Sequence, residues 1–264
     1  RSKPATTFAI LADRTGGTDA GFKYLKTAVD ELNLLQPEFV MTVGDLVQGY
    51  TRDPAEYIRE VVEYRGIVDR LTMPWYPCAG NHDVISGLRN PADRRFETLY
   101  QTYFGPLYYS LDYSDIHLVV LYSDEQRQSD PVISAEQIDW LRADLNRAFS
   151  NGVTKHVFVF LHKPAWRYKN SNWDTVHKLL TDFNSRPIVT VEGLPGRAAS
   201  APPRVESVVA GHYHTYIQEP TRDGIQYLIL SVTGAAIDQA KTAGQFNQYL
   251  LVKVAPGGPE FSIV

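Results

Sequence analysis

Five apolar runs of strand length in this chain stop at side chains that bind hard or borderline metal ions. Phe8 to Ala12 ends at Asp13, Phe39 to Val43 at Gly44-Asp45, and Trp75 to Ala79 at Gly80-Asn81-His82-Asp83. Val157 to Leu161 ends at His162, and Val205 to Ala210 at Gly211-His212-Tyr213-His214. Ligands of open α/β sheets sit at the carboxyl ends of the strands, so these endings point to one shared site. Carboxylates, an amide carbonyl and neutral imidazoles suit Mn, Fe or Zn rather than ions that prefer thiolates. Two ions about 3.5–4 Å apart need one bridging carboxylate and separate ligands for each. Asp45, central in the chain order, is the candidate bridge. Such a pair can hold a hydroxide, polarise a phosphoryl oxygen and stabilise the charge of in-line attack. Gly80 is expected to take a positive φ in the turn that delivers Asn81, His82 and Asp83.

The elements that would position these groups follow from periodicity. The fully apolar runs read as buried strands. Phe22, Leu25, Val29 and Leu32 recur at helical spacing, as do Tyr57, Val61, Tyr64, Val68 and Leu71 after the Asp53-Pro54 start signal. Asn90-Pro91 is expected to open a helix with Phe96, Leu99, Tyr100 and Tyr103 inward. Tyr109 to Tyr113 and Ile116 to Leu121 read as a hairpin, and Ser134-Ala135-Glu136-Gln137 as a capping box. Trp173, Val176, Leu180 and Phe183 sketch another helix. A strand at Ile188 to Val191, a surface loop from Gly193 to Pro203, an Asp223-Gly224 turn and a closing strand from Tyr249 to Val254 complete the pattern. About ten strands are too many for one sheet with covered faces, so two packed sheets flanked by helices are expected.

The bounds agree. The 264 residues, 44% hydrophobic and 21% charged, suit one large α/β domain spanning 1–264. A formal net charge of −4 argues against a broad nucleic-acid footprint, and no stretch is long and apolar enough to span a membrane. The lone cysteine, Cys78, rules out an intrachain disulfide and is expected to be buried inside a strand. The chain starts at Arg1-Ser2 without an initiator Met, which leans towards an exported, processed protein. Oligomeric state is open.

Asp13, Gly44-Asp45, Gly80 to Asp83, His162 and Gly211 to His214 together resemble the blocks of the calcineurin-like metallophosphoesterase superfamily. The stretch from Phe104 to Asp112, with Ile116 to Leu121, is similar to the purple-acid-phosphatase and cyclic-nucleotide-phosphodiesterase branches. The resemblance implies a four-layer α/β/β/α sandwich with two mixed sheets. It implies a metal-dependent hydrolase of small phosphate esters, diesters slightly favoured. Carried over, Asp45 bridges two ions; Asp13 and His214 hold the first; Asn81, His162 and His212 hold the second. His82 protonates the leaving alkoxide or binds the phosphate, and Asp83 orients His82.

One block departs from the pattern. The family usually has Asp-x-His where this chain has Asp13-Arg14-Thr15, and the tyrosine of purple acid phosphatases is replaced by Gln48. Gln48 oxygen, the Thr15 hydroxyl or water is left to complete a weaker first site, and no purple colour is expected. A second reading is a metal-binding or interaction module on the same fold with weakened turnover. Arg14, Lys163 and Arg167 are candidates for substrate binding, with Trp166 and Tyr168 beside them. His117, His156 and His177 read as core or edge residues, and Asp124 and Glu125 as strand-end acids outside the pattern.

Overall fold

The computed structural model of the chain describes residues 5–16, 19–84, 92–127, 129–187, 202–237, 243–255 and 257–264. The first half alternates strand and helix: β1 (Thr6–Leu11), α1 (Asp19–Leu35), β2 (Phe39–Thr42), α2 (Pro54–Val68), β3 (Trp75–Tyr76), α3 (Asn81–Val84) and α4 (Arg95–Tyr103). The hairpin β4 (Tyr109–Tyr113) and β5 (Ile116–Val120) follows, then α5 (Ala135–Ser150), β6 (His156–Phe160), a short 3-10 turn (Ala165–Arg167) and α6 (Trp173–Asn184). The chain closes with β7 (Arg204–Ala210), β8 (Ile217–Gln218), β9 (Gln226–Ile229), β10 (Tyr249–Ala255) and β11 (Gly258–Ile263).

Two mixed sheets result, with strand orders β11-β10-β1-β2-β3 and β4-β5-β6-β7-β9-β8. β1, β2 and β3 run parallel, as do β5, β6, β7 and β9, so their carboxyl ends share one edge of each sheet. The period-two alternation of the strands sorts their side chains into layers. Phe8 and Ile10 of β1 and Phe39 and Met41 of β2 face Leu118, Val120, Phe158 and Phe160 of the other sheet. Phe8 stacks on Phe39 at 4.8 Å between centroids and meets Phe158 edge-on at 5.3 Å, joining the sheets. Ala9, Leu11 and Val40 point the other way, onto Leu25, Val29 and Leu32 of α1 and Tyr64 and Val68 of α2. On the far face Val119, Val157, Val159 and Val208 pack against Leu141 and Leu145 of α5 and Val176 and Leu180 of α6. The layers are therefore helix, sheet, sheet, helix, as expected.

Local signals account for most boundaries. Pro54 opens α2 behind Asp53, whose side chain accepts the Ala55 amide at 2.9 Å. Ser134 caps α5 by accepting the Gln137 amide at 3.1 Å. The other half of the expected capping box is not made, because the Gln137 amide group instead bonds both backbone groups of Tyr122. Three expectations change. β3 covers only Trp75–Tyr76, so Cys78 is buried beyond the strand, where its amide donates to Thr42 Oγ1 at 2.9 Å. Tyr249–Ala255 is not the closing strand: β11 pairs antiparallel outside it, starting at Gly258, where φ is 115°. α4 starts at Arg95; Asn90-Pro91, the Ile188 to Val191 run and nearly all of the Gly193 to Pro203 stretch lie outside the described residues.

Away from the strand ends that carry the metal-binding side chains, His117 of β5 is buried between two carboxylates. It bonds Asp144 of α5 at 2.8 Å and Asp112 of β4 at 2.6 Å. Burial works against its charge, but the bonds to Asp144 and Asp112 outweigh burial and raise its pKa above the ordinary 6.5. A folded-state pKa raised above the unfolded one stabilises fully below the unfolded value and loses that contribution as pH climbs through the folded one. The stability advantage of the native chain over His117→Gln is therefore expected to be full below the ordinary histidine pKa of about 6.5 and to shrink as pH rises above it in urea titrations. A gap that is constant or widens with pH would contradict this.

Candidate metal centre

Asp13 directly follows β1, Asp45 follows β2, and Asn81, His82 and Asp83 begin α3 just after β3. His162 follows β6, and His212 and His214 follow β7. Both sheets thus deliver their strand ends to one place. The turns are unusual: Asp45, His212 and His214 take positive φ of 54°, 72° and 51°, a region that non-glycine residues occupy sparingly and mostly at functional sites. Gly80 does not take the positive φ expected of it. Its lack of a side chain serves close approach instead, since a Cβ there would lie 2.2 Å from the Asp45 amide nitrogen. Gly44 is the left-handed residue, at φ 96°, and a Cβ on it would meet Gly80 and His162 Nδ1, each at 2.7 Å.

Two groups of side chains converge closely enough to hold an ion each: Asp45, His162 and His212, and Asp13, Asp45 and His214, with the ligand atoms of each group within 4.8 Å of one another. Asp45 belongs to both. Its Oδ2 lies 3.3 Å from His162 Nε2, while Oδ1 accepts the His82 amide at 2.9 Å. Asn81 Oδ1 joins the first group, 3.0 Å from His162 Nε2, and His212 Nδ1 lies 3.2 Å from the same nitrogen. In the second group His214 Nε2 is 3.4 Å from Asp13 Oδ2, which also accepts the His212 amide at 2.7 Å. Backbone carbonyls fix two of the rings: His162 Nδ1 donates to Val43 O at 2.8 Å and His214 Nδ1 to Ala236 O at 2.9 Å. A carbonyl only accepts, so each bond leaves Nε2 as the nitrogen for a metal.

The electrostatics fit bound cations. Asp13 Oδ1 is buried with no hydrogen-bond partner among the described residues, a costly position for a carboxylate oxygen. Burial raises the Asp13 pKa, with the neighbouring Asp45 charge adding to it. Burial pushes Asp45 the same way, but His162 beside it outweighs this and holds its carboxyl well below the usual range. Asp45 correspondingly lifts His162 to about 10 against the effect of burial, while burial and the charged His162 push His212 down to about 3. A proton on His162 thus supplies positive charge where the ligand set invites an ion.

The remaining candidates separate. His82 joins the centre, its Nδ1 donating to Gln48 O at 2.8 Å and its ring edge-on to Tyr50 at 4.7 Å. Asp83 does not orient His82. Its Oδ1 accepts the Leu46 and Val47 amides at 2.9 and 3.1 Å and its Oδ2 the Gly80 amide at 2.7 Å, so it fastens the two ligand-bearing loops together. The acceptor for His82 is a backbone carbonyl, which no side-chain pattern could reveal. Thr15 is not placed as a ligand, since its hydroxyl is shared between the carbonyls of Asp45 and Val47. Gln48 Oε1 is likewise taken by the Gly16 amide at 2.8 Å. Arg14 is buried with its guanidinium 3.7 Å over the Phe22 ring, not in a surface loop. Lys163 is buried against Asp124, Nζ to Oδ1 2.6 Å, and Arg167 pairs with Glu219. His177 bonds Tyr227 and Asp223, and His156 bonds Glu206.

Residues 6–216 match the model of the calcineurin-like phosphoesterase family. The chain belongs to that family, which places it among the phosphoesterases. No curated protein matches its sequence. Among solved structures, a dimetal phosphatase from Danio rerio superposes with a TM-score of 0.66 at 14% identity, over 98% of this chain and 99% of that one. The anchor in the inner membrane complex of Plasmodium gives 0.64 at 12% identity, over 99% of this chain and 85% of that one. The 5'-nucleotidase of Candida albicans gives 0.54 at 11%, over 99% of this chain and 52% of that one. At these identities the likeness is one of fold.

Replacing Asp83 by Ala orphans three buried amides. It is expected to lower stability by at least ~3 kcal/mol, since each unsatisfied buried group costs about 1–3 kcal/mol. Chemical denaturation reads this directly; a variant as stable as the parent would assign Asp83 back to His82.

Proposed function

We propose that this chain hydrolyses phosphate esters at a two-ion centre, diesters in preference to monoesters. The observation that carries this reading is the pair of metal-sized groups sharing Asp45. When bound, two divalent ions supply Lewis-acid charge that activates water and offsets charge developing on the phosphoryl group. Asp13, Asp45 and His214 hold the first ion, and Asp45, Asn81, His162 and His212 the second. The donor set suits Mn, Fe or Zn. His82 is the general acid: with Nδ1 held by Gln48 O, its Nε2 is the atom that delivers a proton to the departing alkoxide. The diester preference is supported by the likeness of Phe104 to Leu121 to the diesterase branch.

The two ions are bound unequally. Thr15 stands where the family usually has an imidazole and spends its hydroxyl on backbone carbonyls, so the first ion has three protein ligands and the second four. Calorimetric titration of chelated protein with Mn²⁺ is expected to show one tight and one weaker site, with Asp13→Asn abolishing the weaker. Two equally tight sites would refute this.

A second reading, a metal-binding module with little turnover, draws support from the same Thr15 substitution. A relative of the same fold is also described as an anchor. Hydrolysis of bis-nitrophenyl phosphate and nitrophenyl phosphate with Mn²⁺ separates the two. We expect turnover of both, faster for the diester; with an alkyl ester, whose alkoxide needs the proton, His82→Ala is expected to lower the rate by about 10²–10⁴ with metal binding retained, and by less with the nitrophenyl esters. Tight metal binding without turnover of either ester would favour the module.

A further inference from the structure

Three tyrosines ring the centre without belonging to any apolar cluster among the described residues. Tyr168 and Tyr213 are half-buried on the side of the second ion. Tyr168 has its centroid 6.5 Å from the His212 ring and 6.2 Å from Tyr213, and Tyr213 lies 5.8 Å from His212. Tyr50, 63% exposed, stands on the other side against His82. It reaches across towards Gly16 and Ala236, since a Cβ on Gly16 would lie 3.7 Å from its hydroxyl and 3.2 Å from the Ala236 Cβ. Ala236 O is the carbonyl that holds His214, so Tyr50 overhangs the first-ion group.

Aromatic surface left half in water is under-used for folding, and here it is gathered beside the two rings that flank the reacting position. Next to Tyr168 along the chain, Trp166 and Arg167 line an open cleft of about 360 Å³ with Glu219, Arg222 and Tyr227. In that cleft Trp166 Nε1 and Arg167 both bond Glu219, which fixes the polar groups in place.

We propose that Tyr168 and Tyr213, with Tyr50 across from them, form the subsite for the alcohol portion of the ester, so that the preferred substrate carries a planar aromatic ring on its leaving group. This rests on the phosphoester reading and adds the substrate class to it. A ring slides between Tyr50 and the Tyr168–Tyr213 pair, offset-stacked or edge-on, while the phosphoryl group lies over Asp45. An aliphatic group of the same size gains the burial but not the ring–ring term.

The test uses the Mn²⁺-loaded protein and two non-hydrolysable probes matched in size, benzylphosphonate and cyclohexylmethylphosphonate, with binding read by calorimetry. Hydrolysis of the corresponding benzyl and cyclohexylmethyl phosphates and their methyl diesters is followed in parallel. Benzyl probes are expected to bind roughly three- to tenfold more tightly, the size of one or two ring–ring contacts. Tyr168→Leu and Tyr213→Leu should remove that preference, and Tyr168→Phe should keep it, all three with unchanged metal stoichiometry. Equal binding of the two probes to the parent protein overturns the subsite, as does a preference that survives both Leu variants. A Tyr168→Leu that weakens both probes equally would make Tyr168 only a support for His212, and overturns it too. Failure to bind either phosphonate, with no turnover of any ester, would instead remove the phosphoester reading on which the subsite depends.

Discussion

Burying carboxylates together is the constraint on which the rest of this structure depends. Asp13, Asp45 and Asp83 are all almost wholly buried around one point, where their mutual repulsion and lost hydration would each cost several kcal/mol if unanswered. The chain answers mainly with backbone amides. Asp83 takes three of them, Asp45 takes the His82 amide and Asp13 the His212 amide. All but the Gly80–Asp83 bond tie a loop from one strand end to a side chain from another, so the carboxylates gather the loops as well as the charge. Missing side chains make the approach possible. A Cβ at Gly80 would fall 2.3 Å from Asp45 Oδ1, and one at Gly211 would fall 2.1 Å from Asp13 Oδ1.

What the amides leave undone defines the chemistry. Asp13 Oδ1 has no hydrogen-bond partner among the described residues, and Asp45 relies on His162 for positive charge. A site that is still short of cations after its backbone has been spent is organised for ions. The imidazoles around it are aimed by main-chain carbonyls of Val43, Gln48 and Ala236, groups whose position depends on the fold and not on side-chain type. The same economy explains Thr15. Its hydroxyl pins its loop to the carbonyls of Asp45 and Val47, which adds rigidity beside Asp45.

Beyond the ions, the setting is aromatic on both sides and polar towards the cleft at Glu219. Lys163 and Arg167 are committed to Asp124 and Glu219, which leaves shape and ring surface to distinguish one phosphate ester from another. A reaction centre shared across a family can in this way serve different alcohols, because the groups that hold the phosphoryl side and those that face the alcohol belong to different loops.

The amino-acid sequence by itself determined the layers and the cast of the site. Apolar runs of strand length, helical spacing in α1, α2 and α6, and the Asp53-Pro54 and Ser134 start signals are local patterns, and local patterns survive in one dimension. The order Asp13, Asp45, Asn81, His162, His212, His214 was legible for the same reason: each residue lies within four positions of the end of an apolar run, and parallel strands bring such endings together. Only the tertiary structure decided what these residues touch. Asp83 fastens loops rather than His82, Arg14 packs on Phe22, Thr15 and Gln48 face backbone, and Gly80 is small for the sake of Asp45 rather than for its own φ. The short β3 likewise depends on pairing with β2, and β11 is the outer arm of a hairpin with β10. Most of these are contacts between segments tens of residues apart, and the partner is usually a main-chain group that every residue carries, so no pattern of side chains could have announced it.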